Sequence, residues 1–389
     1  MSHPSDPQPR LHADVRYAVA AVVQTVRTLT ERELAPSARR LLLSAIVAWY
    51  LAQTLTLVPW WDSFWALDGF AATEPFSDVG VGDFVNHPAV RQYWPVAIAV
   101  FTVFGFVTLA RPSSAIWPLC FYLAARNVES LCPQIADGGS NLMRLLLLYL
   151  AVGNVLAAPE QFGVPVGACA RSLTLVACRL QIAFVYLCAG LYKVTGHLWT
   201  NGMALYYIGQ SDYATDSILN DMLSVPLLSF IACYSVVAFQ VSFPFLVFSR
   251  GRKLALGFGV LFHVLIIVTL GLTCFGLAMI ISYLAFAREQ ETRLLDRSVH
   301  ATDTVQLELR ATRAAPVLRW LARCGAKVRV TPATAAGVAP GDALLLLLGR
   351  SYVTRVLFPV WAALAYLGVL DFLGRRLGLA LTERAAAGA

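Results

Sequence analysis

The chain has 389 residues, of which 58% are hydrophobic and 14% charged, and its formal net charge is +7. Charged residues near a quarter are usual in soluble domains, so this composition excludes an ordinary water-soluble fold and indicates a polytopic helical membrane protein. Basic residues in such proteins mark cytoplasmic loops, so the positive charge is no argument for nucleic acid; the expected partner is membrane lipid.

Residues 1–35 read as an N-terminal cytoplasmic or interfacial segment, in which 14–30 place apolar and basic residues at helical spacing. Apolar runs then predict spans at about 41–58, 94–110, 115–125, 142–158, 173–192, 225–248, 254–270 and 272–287. A ninth candidate, about 353–373, follows a polar stretch. Arg39 and Arg40, then Arg111, Arg171, Arg250 to Lys253 and Arg288 fall at alternate boundaries. Asp62, Asp68, Glu74, Asp78 and Asp83 occupy the loop after the first span, which puts the N-terminus in the cytoplasm and Lys193 on the outer side. The expected architecture is an all-α polytopic transmembrane bundle of about eight core helices in the cell membrane. Its divisions are 1–35, a transmembrane domain over 36–290, a cytoplasmic appendage over 291–350, and a C-terminal hydrophobic segment and tail over 351–389. The appendage reads as α/β-like, from a strand VQLEL, a helix APVLRWLARCG, a strand KVRVT and the run ALLLLLG.

Eight cysteines form no C-x-x-C pair, and no metal is expected. Cys132, in an outward loop, is the one expected to be open to oxidation. No Walker A loop, dinucleotide turn, H-E-x-x-H or G-x-S-x-G motif occurs.

The stretch QIAFVYLCAGLYKVTGHLWTNGMAL, from Gln181 to Leu205, carries the sharpest signal. Lys193 ends an apolar helix, where a charge costs up to about 2.5–3.5 kcal/mol at full depth and less where the stem reaches water. Such a lysine is either functional or an interfacial anchor. His263, in VLFHVLIIV, is either a neutral imidazole bonded to a neighbour or part of a site. Arg144 either binds an anionic group or pairs with Asp137. Gln181 is expected to bond between helices, and Arg179 to anchor a helix end or meet a carboxylate. His197 reads as interfacial or as a site residue, and Trp199 as part of an aromatic belt or of a wall for a flat ring.

Arg179-x-Gln181, Tyr186, Ala189-Gly190-x-x-Lys193, Trp199 and Gly202 together resemble the central motif of the HTTM membrane domain, shared with vitamin K-dependent gamma-glutamyl carboxylase. Arg126-Asn127 with Asp137-Gly138-Gly139 and Arg144 is similar to a bacterial form of that domain. Phe243-Pro244 with Arg250, then His263, Phe275 and Met279, resembles its later helices. The resemblance covers roughly 35–290. It implies that Lys193 acts as the base that deprotonates a reduced quinone, aided by surroundings that keep part of the amine neutral. Beside Lys193, His263 is a candidate for catalysis, and Arg144, Gln181, Tyr186, His197 and Trp199 are candidates for binding substrate or cofactor. Two departures stand against glutamate carboxylation itself. No histidine lies between His87 and His197, and Gln240 replaces an acidic residue common in bacterial relatives. Three functions follow: a carboxylase-like enzyme modifying a peptide or small acid, a non-catalytic maturation factor for an exported peptide toxin, or a transporter. The core helices carry no chain of carboxylates, which weighs against the third.

Overall fold

The computed structural model describes residues 33–66, 92–132, 135–159, 166–300, 305–309, 315–323, 328–332, 340–350, 370, 373 and 379–381. The expected amphipathic stretch at 14–30, most of the acidic loop after the first span and most of the ninth candidate span lie outside these residues. The chain forms two compact units, Met1–Phe286 and Ala287–Ala389.

In the first unit, α1 (Pro36–Leu55) starts on a proline, whose missing N–H costs nothing in a first turn. It continues through a single 3-10 turn into the short α2 (Trp61–Trp65), with a bend of 44°. Then come α3 (Trp94–Ala110), α4 (Trp117–Leu131), α5 (Gly138–Leu156) and α6 (Gly167–Thr195). Three short helices follow, α7 (His197–Thr200), α8 (Ala204–Gly209) and α9 (Ile218–Leu223). The last long pieces are α10 (Pro226–Val247), α11 (Arg252–Leu270) and α12 (Thr273–Ser282), which ends in a 3-10 turn, Tyr283–Phe286. Among the described residues four helices, α5, α6, α10 and α11, are long and apolar enough to cross a membrane, or five if the bent pair at 36–65 is one span. This is a membrane protein. Trp94–Ala110 and Thr273–Phe286, also at expected positions, are apolar but shorter.

The 29-residue α6 packs against both α5 and α10. Its approach to α10 depends on Gly190: a Cβ there would stand 2.8 Å from Val241 Cγ2, 3.0 Å from the Val241 backbone nitrogen and 3.1 Å from Gln240 Cβ. Gly271, at φ 67°, ends α11 in the left-handed conformation that glycine adopts without strain. The orphan Thr269 carbonyl just before it accepts from the Thr215 backbone N–H at 2.9 Å and from Asn220 Nδ2 at 2.8 Å.

At one end of the bundle lies a clamp of charges. Arg39, 1% exposed, donates from Nε to Glu33 at 2.6 Å and from Nη1 to Asn154 at 2.6 Å. Arg171 Nε reaches the other Glu33 oxygen at 2.7 Å. Burying a guanidinium is tolerable only when it is paired and hydrogen-bonded, as it is here. Cys132, expected in an open loop, is instead fully buried at the end of α4, which removes it from solvent oxidants.

The second unit contains α13 (Glu289–Val299), β1 (Val305–Leu309), α14 (Ala315–Arg323), β2 (Val328–Pro332), α15 (Pro340–Arg350) and β3 (Leu379–Leu381). β1 pairs with β2 in parallel and with β3 antiparallel, giving the order β2-β1-β3. The parallel pair is joined through α14, as a parallel connection requires. A leucine-rich core holds the unit together, formed by Leu318, Leu321 and Ala322 of α14 with Ala343–Leu348 of α15 and Leu370.

Candidate active site

Tyr186, Gly190 and Lys193 stand at positions i, i+4 and i+7 of α6 and therefore share one face of the helix. Gly190 brings α10 against that face, and the antiparallel run of α10 then places Phe243 beside Tyr186, with ring centroids 4.0 Å apart and stacked. Phe239, one turn away, meets the Tyr186 ring edge-on at 5.6 Å.

Tyr186 sits at the centre of a buried polar network. Its hydroxyl is 2.7 Å from His263 Nε2 and also hydrogen-bonds the Tyr283 hydroxyl. All three residues are buried, with His263 and Tyr186 each 2% exposed. Tyr186 has one proton to give, so it donates to one neighbour and accepts from the other. The three groups form a neutral chain along which proton order can reverse without creating charge. Phe262 and Phe275 flank the imidazole edge-on at 4.9 and 5.6 Å. The ring therefore faces the bundle interior and not lipid.

Two buried polar atoms in this region have no hydrogen-bond partner among the described residues, His263 Nδ1 and Gln240 Oε1. Buried polar atoms are otherwise nearly always paired, so each such atom calls for an explanation. Pro244, inside α10, adds a further acceptor: it has no N–H to offer the Gln240 carbonyl four residues back. Gln240 lies against Gly190, between the level of the tyrosine–histidine network and that of Lys193.

Lys193 is half-buried in the last turn of α6. Its Nζ lies 3.5 Å from the Ala189 carbonyl and 5.0 Å from the centroid of the Trp199 ring. Gly196 ends the helix and lets α7 fold back, which brings Trp199 under the amine. The two residues expected from the motif are thus in contact. His197 opens α7 and is exposed.

The remaining candidates sit elsewhere. Gln181 accepts from the Tyr149 hydroxyl at 3.2 Å, an α5–α6 bond of the expected interhelical kind. Arg179 meets no carboxylate in its described bonds: its Nε donates to the Ala285 carbonyl at 2.7 Å, at the 3-10 turn that carries Tyr283. Arg144 does not pair with Asp137. Its Nη2 donates to Asn141 at 2.6 Å, and its Nη1 lies 3.8 Å from Glu129. Asp137 is engaged as the cap of α5, accepting from the Ser140 backbone at 2.7 Å, because it immediately precedes the first helical turn.

Sequence reasoning passed over Glu129, which is 8% exposed and bonded to Arg126 at 2.8 Å and to the Tyr50 hydroxyl at 3.0 Å. The available signal was its i,i+3 spacing from Arg126 in an otherwise apolar helix. Beside it, a cavity of about 10 Å³ lined by Tyr50, Gln53, Glu129 and Ser140 is about the size of one water. Tyr283 was missed as well.

Residues 170–290 match the family model of the HTTM domain. The matched stretch contains Tyr186, Gly190, Lys193, Trp199, Gln240, His263 and Tyr283. The match begins after the Arg126–Arg144 region, whose resemblance to the family rests on the sequence motifs alone. No curated protein and no solved structure matches the chain.

Proposed function

We propose that this chain is a multi-pass protein of the cell membrane with a carboxylase-like enzymatic activity, in which Lys193 is the general base. The observation that carries this reading is the shared α6 face. It sets Lys193 on the side of α6 that carries the buried Tyr186–His263–Tyr283 chain, with Gln240 between the two levels, inside the stretch that matches the HTTM domain. Lys193 accepts a proton from a bound acid; the hydroxyl chain orients His263, whose free Nδ1 is directed to a polar group of the substrate. The aromatic faces and the two unpaired polar atoms fit a flat ring bearing oxygens, and a reduced quinone would supply the acidic hydroxyl and the reducing electrons. His263 and Gln240 would hold it, with Tyr186 behind them, while Arg144 and His197 lie apart from this network in the described contacts. The topology that goes with this reading has eight core helices, a cytoplasmic N-terminus and Lys193 at the outer side. The substrate is a small acid or an exported peptide.

A second reading has its own observation. The Lys193 amine over the Trp199 ring is an arrangement that anchors a helix end, worth about 0.5–1 kcal/mol at an exposed site. It suits a non-catalytic maturation factor for an exported peptide. Mass spectrometry of candidate precursor peptides, made with wild-type protein, Lys193→Met or Lys193→Arg, separates the two. The enzyme reading expects a mass change that both variants abolish, because a guanidinium stays protonated. Full product with Lys193→Arg would discard the base assignment.

A further inference from the structure

The two sides of α14 (Ala315–Arg323) do not match. One side supplies Leu318, Leu321 and Ala322 to the core of the second unit. The other side presents Val317, 59% exposed, and Trp320, 51% exposed, three residues apart and hence adjacent on the helix surface. Arg319 and Arg323, four residues apart, are exposed beside them. The helix, APVLRWLAR, has no acidic residue.

A tryptophan and a valine held out of the core, bordered by two guanidinium groups, match what the boundary between hydrocarbon and headgroups selects. There the indole sits at headgroup level and the arginines meet phosphates. A face of this kind is poorly suited to a second copy of itself, since a two-fold contact would oppose four arginines. The unit also starts at Ala287, directly after Phe286 at the end of the last apolar helix of the first unit, so its chain is tethered to the apolar bundle.

We propose that α14 docks on an anionic bilayer surface, with Val317 and Trp320 at the headgroup level and Arg319 and Arg323 on lipid phosphates. The binding is electrostatic as well as apolar, so it is stronger on phosphatidylglycerol than on phosphatidylcholine.

The full-length protein in nanodiscs tests this, using phosphatidylcholine with or without about one-third phosphatidylglycerol, a content high enough to give a negative surface. The lipids carry bromine near the top of their acyl chains, which quenches indole emission on contact. The difference between wild type and Trp320→Phe isolates the Trp320 signal. Expected is at least about twofold quenching of that signal in brominated anionic discs, as for an indole at the acyl boundary. Most of the quenching should be lost in Arg319→Glu/Arg323→Glu. An unquenched Trp320 signal overturns the proposal. If aqueous iodide then quenches it, the face is open to water; if iodide does not, a protein covers it.

Discussion

Two of the polar networks buried in the first unit are built on opposite principles. Around Glu129 the groups form ion pairs and are nearly saturated: Arg126, Arg144 and the Tyr50 hydroxyl converge on one carboxylate. Around Tyr186 the groups are neutral and incomplete, with an unpaired nitrogen on His263 and an unpaired oxygen on Gln240 nearby. A charged network in a low dielectric must be closed, because an unmatched charge there costs more than any packing gain returns. A neutral one can leave an atom open at the cost of one hydrogen bond, about 1–3 kcal/mol. The open network is therefore where chemistry can be accommodated, and the closed one is where the helices are locked.

That contrast can be broken most directly at Glu129. Glu129→Leu leaves two arginines and a tyrosine without their shared acceptor. The loss is expected to be about 2–3 kcal/mol, below the full cost of breaking a buried pair because both arginines are partly exposed. Thermal unfolding in detergent should show it as a clear drop in midpoint; an unchanged midpoint would mean that the network is not structural. Gly190→Ala comes next. Its methyl group would press on the α10 backbone, an overpacking cost of about 1–3 kcal/mol, and activity should fall with it, since this contact aligns the Lys193 face. Retained activity at reduced stability would uncouple the contact from the site.

The neutral network sharpens the comparison from the other side. Tyr283→Phe removes one hydroxyl that has a single described partner, so stability should change by only about 1 kcal/mol. Product formation should nonetheless fall severalfold, because Tyr186 loses the neighbour that fixes its proton; equal losses in the Glu129 and Tyr283 variants would erase the distinction drawn here. The smallest effect is expected for Trp199→Leu. It removes the ring beneath Lys193, about 0.5–1 kcal/mol, and a larger loss of membrane insertion would favour the anchoring role over catalysis.

Much of this was legible in the sequence. The apolar runs marked Trp94–Ala110 and Pro226–Val247 to within a residue, because length and hydropathy are local properties, whereas α6 begins six residues before the run expected from 173 and α4 ends six residues past 125. The Tyr186, Gly190 and Lys193 spacing was readable for the same reason: a helix turns it directly into a shared face. Tyr283 was not readable, since it meets Tyr186 across 97 residues and nothing local sets it apart from an interfacial tyrosine. The Arg144–Asp137 pairing failed through competition. A carboxylate just ahead of a helix is worth more to that helix's free backbone N–H groups than to a neighbouring arginine. Arg39, Asn154 and Arg171 gather at one end, with Tyr50, Glu129 and Arg144 gathering elsewhere.

The Glu33 clamp carries a consequence in time. Glu33 and Arg171 are 138 residues apart, so at about 5–20 residues per second Arg171 leaves the ribosome about 7–28 s after its partner. For most of that interval α1 carries Arg39 without its Asn154 partner, and Glu33 lacks Arg171 throughout. The first helix is therefore held in place by a residue synthesised long after it. A chain halted before α6 is complete should leave α1 open to extraction or degradation, and release from that state should coincide with the synthesis of Arg171.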